Sequence, residues 1–544
     1  MKQSQRDMTR PAGQHYAPST GALRSKHPVY RDRLPPCNHA CPAGENIQAW
    51  LALVQEGDYR GAWEQLLRDN PLPAVHGRVC YHPCEQACNR LQVDQPVSIH
   101  AVERFLGDMA LEQGWKPKVT TPDSGRRVLV IGAGPSGLSC AWHLRHCGHQ
   151  VEIREAGPMA GGMLRFGIPA YRMPRNVLDD EITRLLSCGI TLTLNHKVTD
   201  ILSEKQQGNF DAVFMAIGAH LGKKTDIPAR EAGTILDAVS YLAAVERGDV
   251  PKLGRRVAIY GGGNTAMDAA RTARRMGAEE AMIIYRRDSD HMPAHRFEAD
   301  EAEDEGIKIN WLRSIRNIDN TQLTVEEMTL DERGRPQPTG RFETLEADSL
   351  ILALGQDVDT DVLTKVPGMQ VRPDGVVAVD ERMMTSVAGI FAGGDMVPSE
   401  RTVTIATGHG KKAARNIDSW LRQSNREISA HGPLADYDLL HLWFNTEADA
   451  RPQPELAVEQ RSGFDEVVGG FSQQEATFEA TRCFSCGNCF ECDGCYGACP
   501  EDAVIKLGKG LRYEFDYTKC TGCEACYRQC PCHAIDMVAE EDAQ

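Results

Sequence analysis

Two cysteine runs obey one rule: Cys489, Cys492, Cys495 and Cys499 before Pro500, then Cys520, Cys523, Cys526 and Cys530 before Pro531. Thiolates are soft metal ligands, and a Cys-x2-Cys-x2-Cys-x3-Cys-Pro run written twice is the spacing that holds two 4Fe-4S clusters. The fourth cysteine of each run crosses to the other cluster. This assigns Cys489, Cys492, Cys495 and Cys530 to one cluster, and Cys520, Cys523, Cys526 and Cys499 to its neighbour. Zinc or a disulfide framework also uses Cys-x2-Cys, but two complete runs closed by proline favour iron-sulfur. The chemistry implied is one-electron transfer.

The elements that position such centres must come from a multidomain chain, since 544 residues exceed what one hydrophobic core serves. Hydrophobic residues make up 41% and charged residues 25%, and the formal charge of -16 disfavours nucleic acid as a partner. The first twenty residues lack the apolar core of a secretory signal, and no membrane-spanning run follows. A cytoplasmic location is expected, where 19 cysteines call for metal rather than disulfides. Cys140, Cys147, Cys188 and Cys532 read as bystanders.

RRVLVIGAGPSGLSCAWHL, from residue 126, reads as a buried strand, a turn with Gly132, Gly134 and Gly137, and a helix. Its glycines permit the tight bend, the approach of a pyrophosphate and close helix packing; the phosphates meet the helix N-terminus. A second strand, VEIRE, ends in Glu155, placed to accept ribose hydroxyls. The pattern recurs in GRRVAIYGGGNTAMDAARTARRMG with Gly261, Gly263, Asn264, Thr265 and Ala266, but its second strand ends in Arg286 and Arg287. Two guanidinium groups there suit a ribose 2′-phosphate, favouring NADP(H) over NAD(H); the plain alternative is a solvated basic strand end. Two Rossmann-type folds with opposite charges at these strand ends imply two dinucleotides, FAD in the first and NADP(H) in the second.

TSVAGIFAGGDMVPSERTVTIATGHGKKAA supplies a further strand, Gly393-Gly394-Asp395 and a helix start near Thr404. With AGGMLRFGIPAYRMP, DAVFMAIGAH and DSLILALGQD, residues 30–422 resemble the glutamate synthase small subunit and the dehydrogenating half of dihydropyrimidine dehydrogenase. The resemblance implies an NADP(H) fold inserted in an FAD fold. It carries over Gly162, Met163, Arg172, Gly394, Asp395 and Thr404 as FAD contacts and Gly355 as a residue behind the nucleotide; Arg296 is a further phosphate candidate. Hydride transfer at a flavin needs no catalytic side chain.

The same resemblance implies iron-sulfur clusters near the N-terminus, one with a side-chain oxygen ligand. Aligned on Pro96, Cys41, Cys80, Cys84 and Glu103 complete one cluster, leaving Cys37 and Cys88 for another. Relatives carry a Cys-x2-Cys upstream of Cys37, which this chain lacks; Cys483 and Cys486 in EATRCFSCG resemble the missing piece. A fold-back of Cys483 and Cys486 onto Cys37 and Cys88 gives fifteen cysteines plus Glu103, sixteen ligands for four clusters. The rival is a single N-terminal cluster.

The expected architecture is an N-terminal α-helical iron-sulfur domain (residues 1–120), an FAD-binding α/β domain in two parts (121–225 and 381–422) and an inserted NADP(H)-binding α/β domain (226–380). A linker (423–475), anchored by Trp443 and Phe444, leads to an α+β bacterial-ferredoxin-like domain (476–544). The expected function is an electron-transfer subunit that joins a partner oxidoreductase, such as a 2-oxoacid:ferredoxin oxidoreductase or the glutamate synthase large subunit, in a hetero-oligomer. The alternatives are a free-standing NADPH:ferredoxin oxidoreductase and a non-enzymatic redox-sensing or scaffold subunit.

Overall fold

The computed structural model describes residues 24–223, 229–230, 234–424, 432–443 and 445–540. Its centre is a five-stranded parallel sheet in the order Ile390–Ala392, Ala212–Met215, Arg127–Ile131, Gln150–Arg154, Thr191–Thr193. Apolar runs such as Val128–Ile131 are buried throughout, as a sheet covered on both faces requires. The edge strand Ile390–Ala392 follows an entire second sheet in sequence, so the second fold is an insertion in the first.

That second parallel sheet runs Lys308–Asn310, Glu280–Ile284, Arg256–Tyr260, Ser349–Leu352, Thr234–Asp237. A four-stranded sheet formed by Pro336–Glu346, Gln322–Leu330, Arg313–Asp319 and Ala229–Arg230 packs on it through Ile315, Leu323 and Val325 against Ala258, Met282 and Leu350.

The N-terminal domain is helical from Pro36 onward. Asn46 and Asp58 cap the helices Ile47–Gln55 and Tyr59–Leu66 by accepting from Ala49 N and Gly61 N. Pro73–Val79 crosses Ile99–Glu112 at two glycines: a Cβ on Gly77 would lie 2.5 Å from Arg104 Cα, and one on Gly107 would lie 2.3 Å from Ala74 N. This close crossing brings Cys80, which caps the first helix, toward Glu103 on the second.

The chain ends are interwoven rather than separate, so the first described residues, expected as part of the N-terminal helical domain, lie against the C-terminal one. Lys26–Tyr30 is a strand that pairs antiparallel with Ile535–Ala539 of the C-terminal domain. Arg33 donates to His533 O at 2.9 Å and to Asp536 at 2.8 and 3.0 Å. The C-terminal domain adds the hairpin Val504–Lys506 and Tyr513–Phe515. A pairing between chain ends leaves no local periodicity to read, so the strand escaped the sequence pattern.

The segment before it is a strap held by backbone and buried charge. Asn89 donates to Ala435 O, Arg90 to Thr446 O, and Arg78 and Arg104 pair with Glu466. The expected anchor Trp443 is 67% exposed, and Phe444 lies outside the described residues. Among the described residues no helix is long and apolar enough to cross a membrane.

The Arg33 side chain is 9% exposed, so its charged hydrogen bonds escape most solvent screening. Arg33→Ala is expected to cost about 2 kcal/mol, read as earlier loss of C-terminal structure in denaturant while the two nucleotide folds persist.

Candidate functional site

The first dinucleotide turn opens on a cavity of about 590 Å³, lined by Gly132, Gly134, Glu155, Gly162, Met163 and Asp395 among others. Glycine is obligatory at the turn. Gly132 has φ +104 and a Cβ there would meet Ala216 O at 2.3 Å, while a Cβ on Gly137 would sit 1.9 Å from Gly132 O. Glu155 is fixed by accepting from Ala133 N at 2.7 Å and Gly157 N at 2.8 Å. Burial pushes the Asp395 carboxyl up to about 6, with Arg401 opposing. The amide of Gly394 donates to His409 Nδ1 at 3.2 Å, and burial, then the Lys412 charge, lowers the pKa of this imidazole.

Two residues expected at this cavity lie elsewhere. Arg172 is spent on the second fold, 2.9 Å from Asp268 and 2.5 Å from Glu298. Both acids are buried, and leaving either unpaired would be strongly destabilising. Thr404 donates its hydroxyl to Cys80 Sγ at 3.0 Å and lines a separate sulfur-rich cavity, while Ala406, on the same first turn of Val403–Leu421, lines the flavin cavity.

In the second fold Gly261 has φ +151, and its Cβ would meet Ala353 O at 2.3 Å. Gly263 caps the helix Asn264–Arg275, with Thr265 in its first turn. Asn264 is held from outside: its Nδ2 donates to Tyr81 Oη at 2.7 Å and its Oδ1 accepts from His295 N at 2.9 Å. Tyr81, from the loop between Cys80 and Cys84, stacks on His295 at 3.8 Å. Gly355 follows the strand Ser349–Leu352 with φ +106. Arg286 is exposed at the end of Glu280–Ile284, and Arg287 is half-buried with an unpartnered Nε among the described residues. Arg296 is engaged by Asp300 on the surface.

The cysteines gather into four groups. Cys41, Cys80, Cys84 and Glu103 line one cavity, at the foot of the glycine crossing. Cys37 feels Cys88, Cys483 and Cys486, which join it from both ends of the chain. Cys489, Cys492, Cys495 and Cys530 act on one another, as do Cys520, Cys523 and Cys526, with Cys499 lining the same pocket as these three. The two C-terminal runs share one backbone path: Asp493 and Glu524 occupy the left-handed region at φ 63 and 65, each opening a short helix.

These donor sets fit iron-sulfur clusters. Burial, then the neighbouring thiols, pushes Cys486 up to about 12 and Cys483 up to about 11, while burial and then Glu45 hold Glu103 well above the carboxylate range. Such acids ionise together only around a cation. N–H groups are already aimed at the sulfurs: His82 at Cys80 (3.2 Å), Ser485 at Cys483 (3.4 Å), Gly522 at Cys520 (3.4 Å), Ala503 at Cys499 and Ala534 at Cys530 (both 3.3 Å). Thiolate ligands need such donors.

The sequence reading missed Glu45, Asn70 and His76 beside Glu103. Asn70 Nδ2 donates to both Glu45 (3.0 Å) and Glu103 (2.6 Å), and His76 lies against Thr407 at 2.9 Å. Glu45 stands four residues after Cys41, a spacing that could have flagged it.

Residues 126–410 match the family model for pyridine nucleotide-disulphide oxidoreductase, residues 30–115 that for dihydropyrimidine dehydrogenase domain II, 4Fe-4S cluster, and residues 513–536 that for a 4Fe-4S binding domain. The NADP(+)-dependent formate dehydrogenase subunit beta of Moorella thermoacetica is 34% identical over 83% of this chain and 70% of its own. The NADPH-Fe(3+) oxidoreductase subunit beta of Geobacter sulfurreducens is 31% identical over 83% and 75%. The glutamate synthase [NADPH] small chain of Escherichia coli is 32% identical over 71% and 89%. Glycine turns, sulfur sites and relatives agree: the chain belongs to the pyridine nucleotide-disulphide oxidoreductase family and is an NAD(P)H-dependent oxidoreductase of FAD and 4Fe-4S clusters.

Proposed function

We propose that this chain is the electron-transfer subunit that carries electrons between NADP(H) and a partner oxidoreductase through one flavin and four clusters in series. The observation that carries this reading is that ligands only a few residues apart fall in successive sulfur groups. Cys37 lies in the short helix Pro36–Ala40 and Cys41 caps its end, and Cys84 and Cys88 are likewise split between the first two groups. Cys486 and Cys489 divide between the second and third; three residues span at most about 11 Å. Cys495 lies in the field of Cys526, joining the third to the fourth. Thr404 and Ala406 put the first group against the flavin cavity.

In this reading Gly132, Gly134, Gly137, Glu155, Gly162, Met163, Gly394 and Asp395 hold FAD. Gly261, Gly263, Asn264, Thr265 and Gly355 seat the second dinucleotide, and Arg286 and Arg287 select its 2′-phosphate. The ligands are Cys41, Cys80, Cys84 and Glu103, then Cys37, Cys88, Cys483 and Cys486, then the two crossed C-terminal sets. FAD, when bound, converts the paired electrons of nicotinamide into the single electrons that clusters carry. Cys492 and Cys523 are exposed, which opens the far end to a partner. Relatives named as subunits of formate dehydrogenase and glutamate synthase support a hetero-oligomer with an oxidoreductase of that kind. Anaerobic purification with the partner retained tests this; elution as a lone chain with full turnover on soluble ferredoxin would favour the free-standing enzyme instead.

Cys483→Ala with Cys486→Ala is expected to remove one cluster, lowering iron from about sixteen to about twelve per chain in anaerobic metal analysis. Arg286→Ala with Arg287→Ala should weaken NADPH over NADH by about 1–3 kcal/mol for each charged hydrogen bond lost, measured as KM for the two nucleotides. Equal losses for both would remove the phosphate clamp.

A further inference from the structure

The two C-terminal cysteine runs repeat each other in spacing and backbone, yet their surroundings differ: Cys532 Sγ lies 3.8 Å from Cys530 Sγ where the first run has Glu501, and two tyrosines are used in different ways. Tyr30, the last residue of the N-terminal strand, pairs with Ile535 and stacks on Phe515 with ring centroids 5.0 Å apart. This fixes its hydroxyl 3.7 Å from Cys495 Sγ, within the field of Cys489 and Cys530. A cluster-bound thiolate can only accept, so the phenol is the donor. At the sister site Tyr517 lies in the field of Cys520 and Cys526 but turns its hydroxyl to Pro28 O at 2.9 Å. One tyrosine addresses sulfur and the other addresses backbone.

Building on the four-cluster reading, we propose that Tyr30 is a positioning residue that raises the reduction potential of the cluster on Cys489, Cys492, Cys495 and Cys530, distinguishing it from its twin. Hydrogen bonds to cluster sulfurs stabilise the more negative reduced state and so raise the potential. The donor comes from the opposite end of the chain, so this cluster has its working potential only with Lys26–Tyr30 docked. The neighbouring strand residues leave the sulfurs of that group to Tyr30: Pro28 faces the other pocket, and Arg24 reaches Cys520 O.

The test is Tyr30→Phe in the full chain, which keeps the ring, the stacking and the strand. Iron content should equal that of the wild type. Potentiometric titration followed by electron paramagnetic resonance should show one cluster shifted to lower potential and the other three unmoved. Unchanged potentials at all clusters, a uniform shift of all of them, or loss of iron from the variant would each overturn the proposal. Absence of low-potential cluster signals in the wild type as well would overturn the four-cluster wire, and this assignment with it.

Discussion

Sulfur and carboxylate donors cannot crowd together in a protein interior as anions unless a cation sits among them. This chain assembles four such crowds, and the second draws Cys37 and Cys88 from one end and Cys483 and Cys486 from the other. Much of the architecture follows from satisfying that site. The strap over the helical domain, the buried pairing of Arg482 with Glu479 and Asp94, and the paired terminal strands all hold the distant segments in register.

Thr404 and Ala406, on one turn of the helix Val403–Leu421, line the first sulfur site and the flavin cavity, so the fold places sites for one-electron and two-electron chemistry on a shared element. The inserted fold is tied to the same region. Arg172 pairs with Asp268 and Glu298, and Tyr81 reaches Asn264 at the start of the phosphate-facing helix. The nucleotide fold is thereby packed directly on the loop that carries Cys80 and Cys84, and a large swing of that fold would expose two buried carboxylates.

The parts legible in the sequence were those written as local pattern. Glycines at Gly132 and Gly261 announce a turn because no other residue tolerates the backbone found there, and cysteine spacing announces the crossed sets. The likeness of EATRCFSCG to a piece that relatives carry upstream suggested that Cys483 and Cys486 join Cys37 and Cys88, and the fold brings those four together. Illegible parts were decided by tertiary competition. Arg172 and Thr404 have the right neighbours in sequence for flavin, but buried acids and a sulfur ligand claim their side chains. Lys26–Tyr30 shows too little alternation to reveal a partner some five hundred residues away.

A ribosome delivers the chain from its N-terminal side. Cys37 and Cys88 emerge early, with half their site still untranslated, and wait for nearly four hundred further residues before Cys483 and Cys486 appear. In the four-cluster reading, iron delivery to that centre is therefore a late event in the life of the nascent polypeptide, and a product truncated before the strap ends would leave Cys37 and Cys88 without the other half of their site.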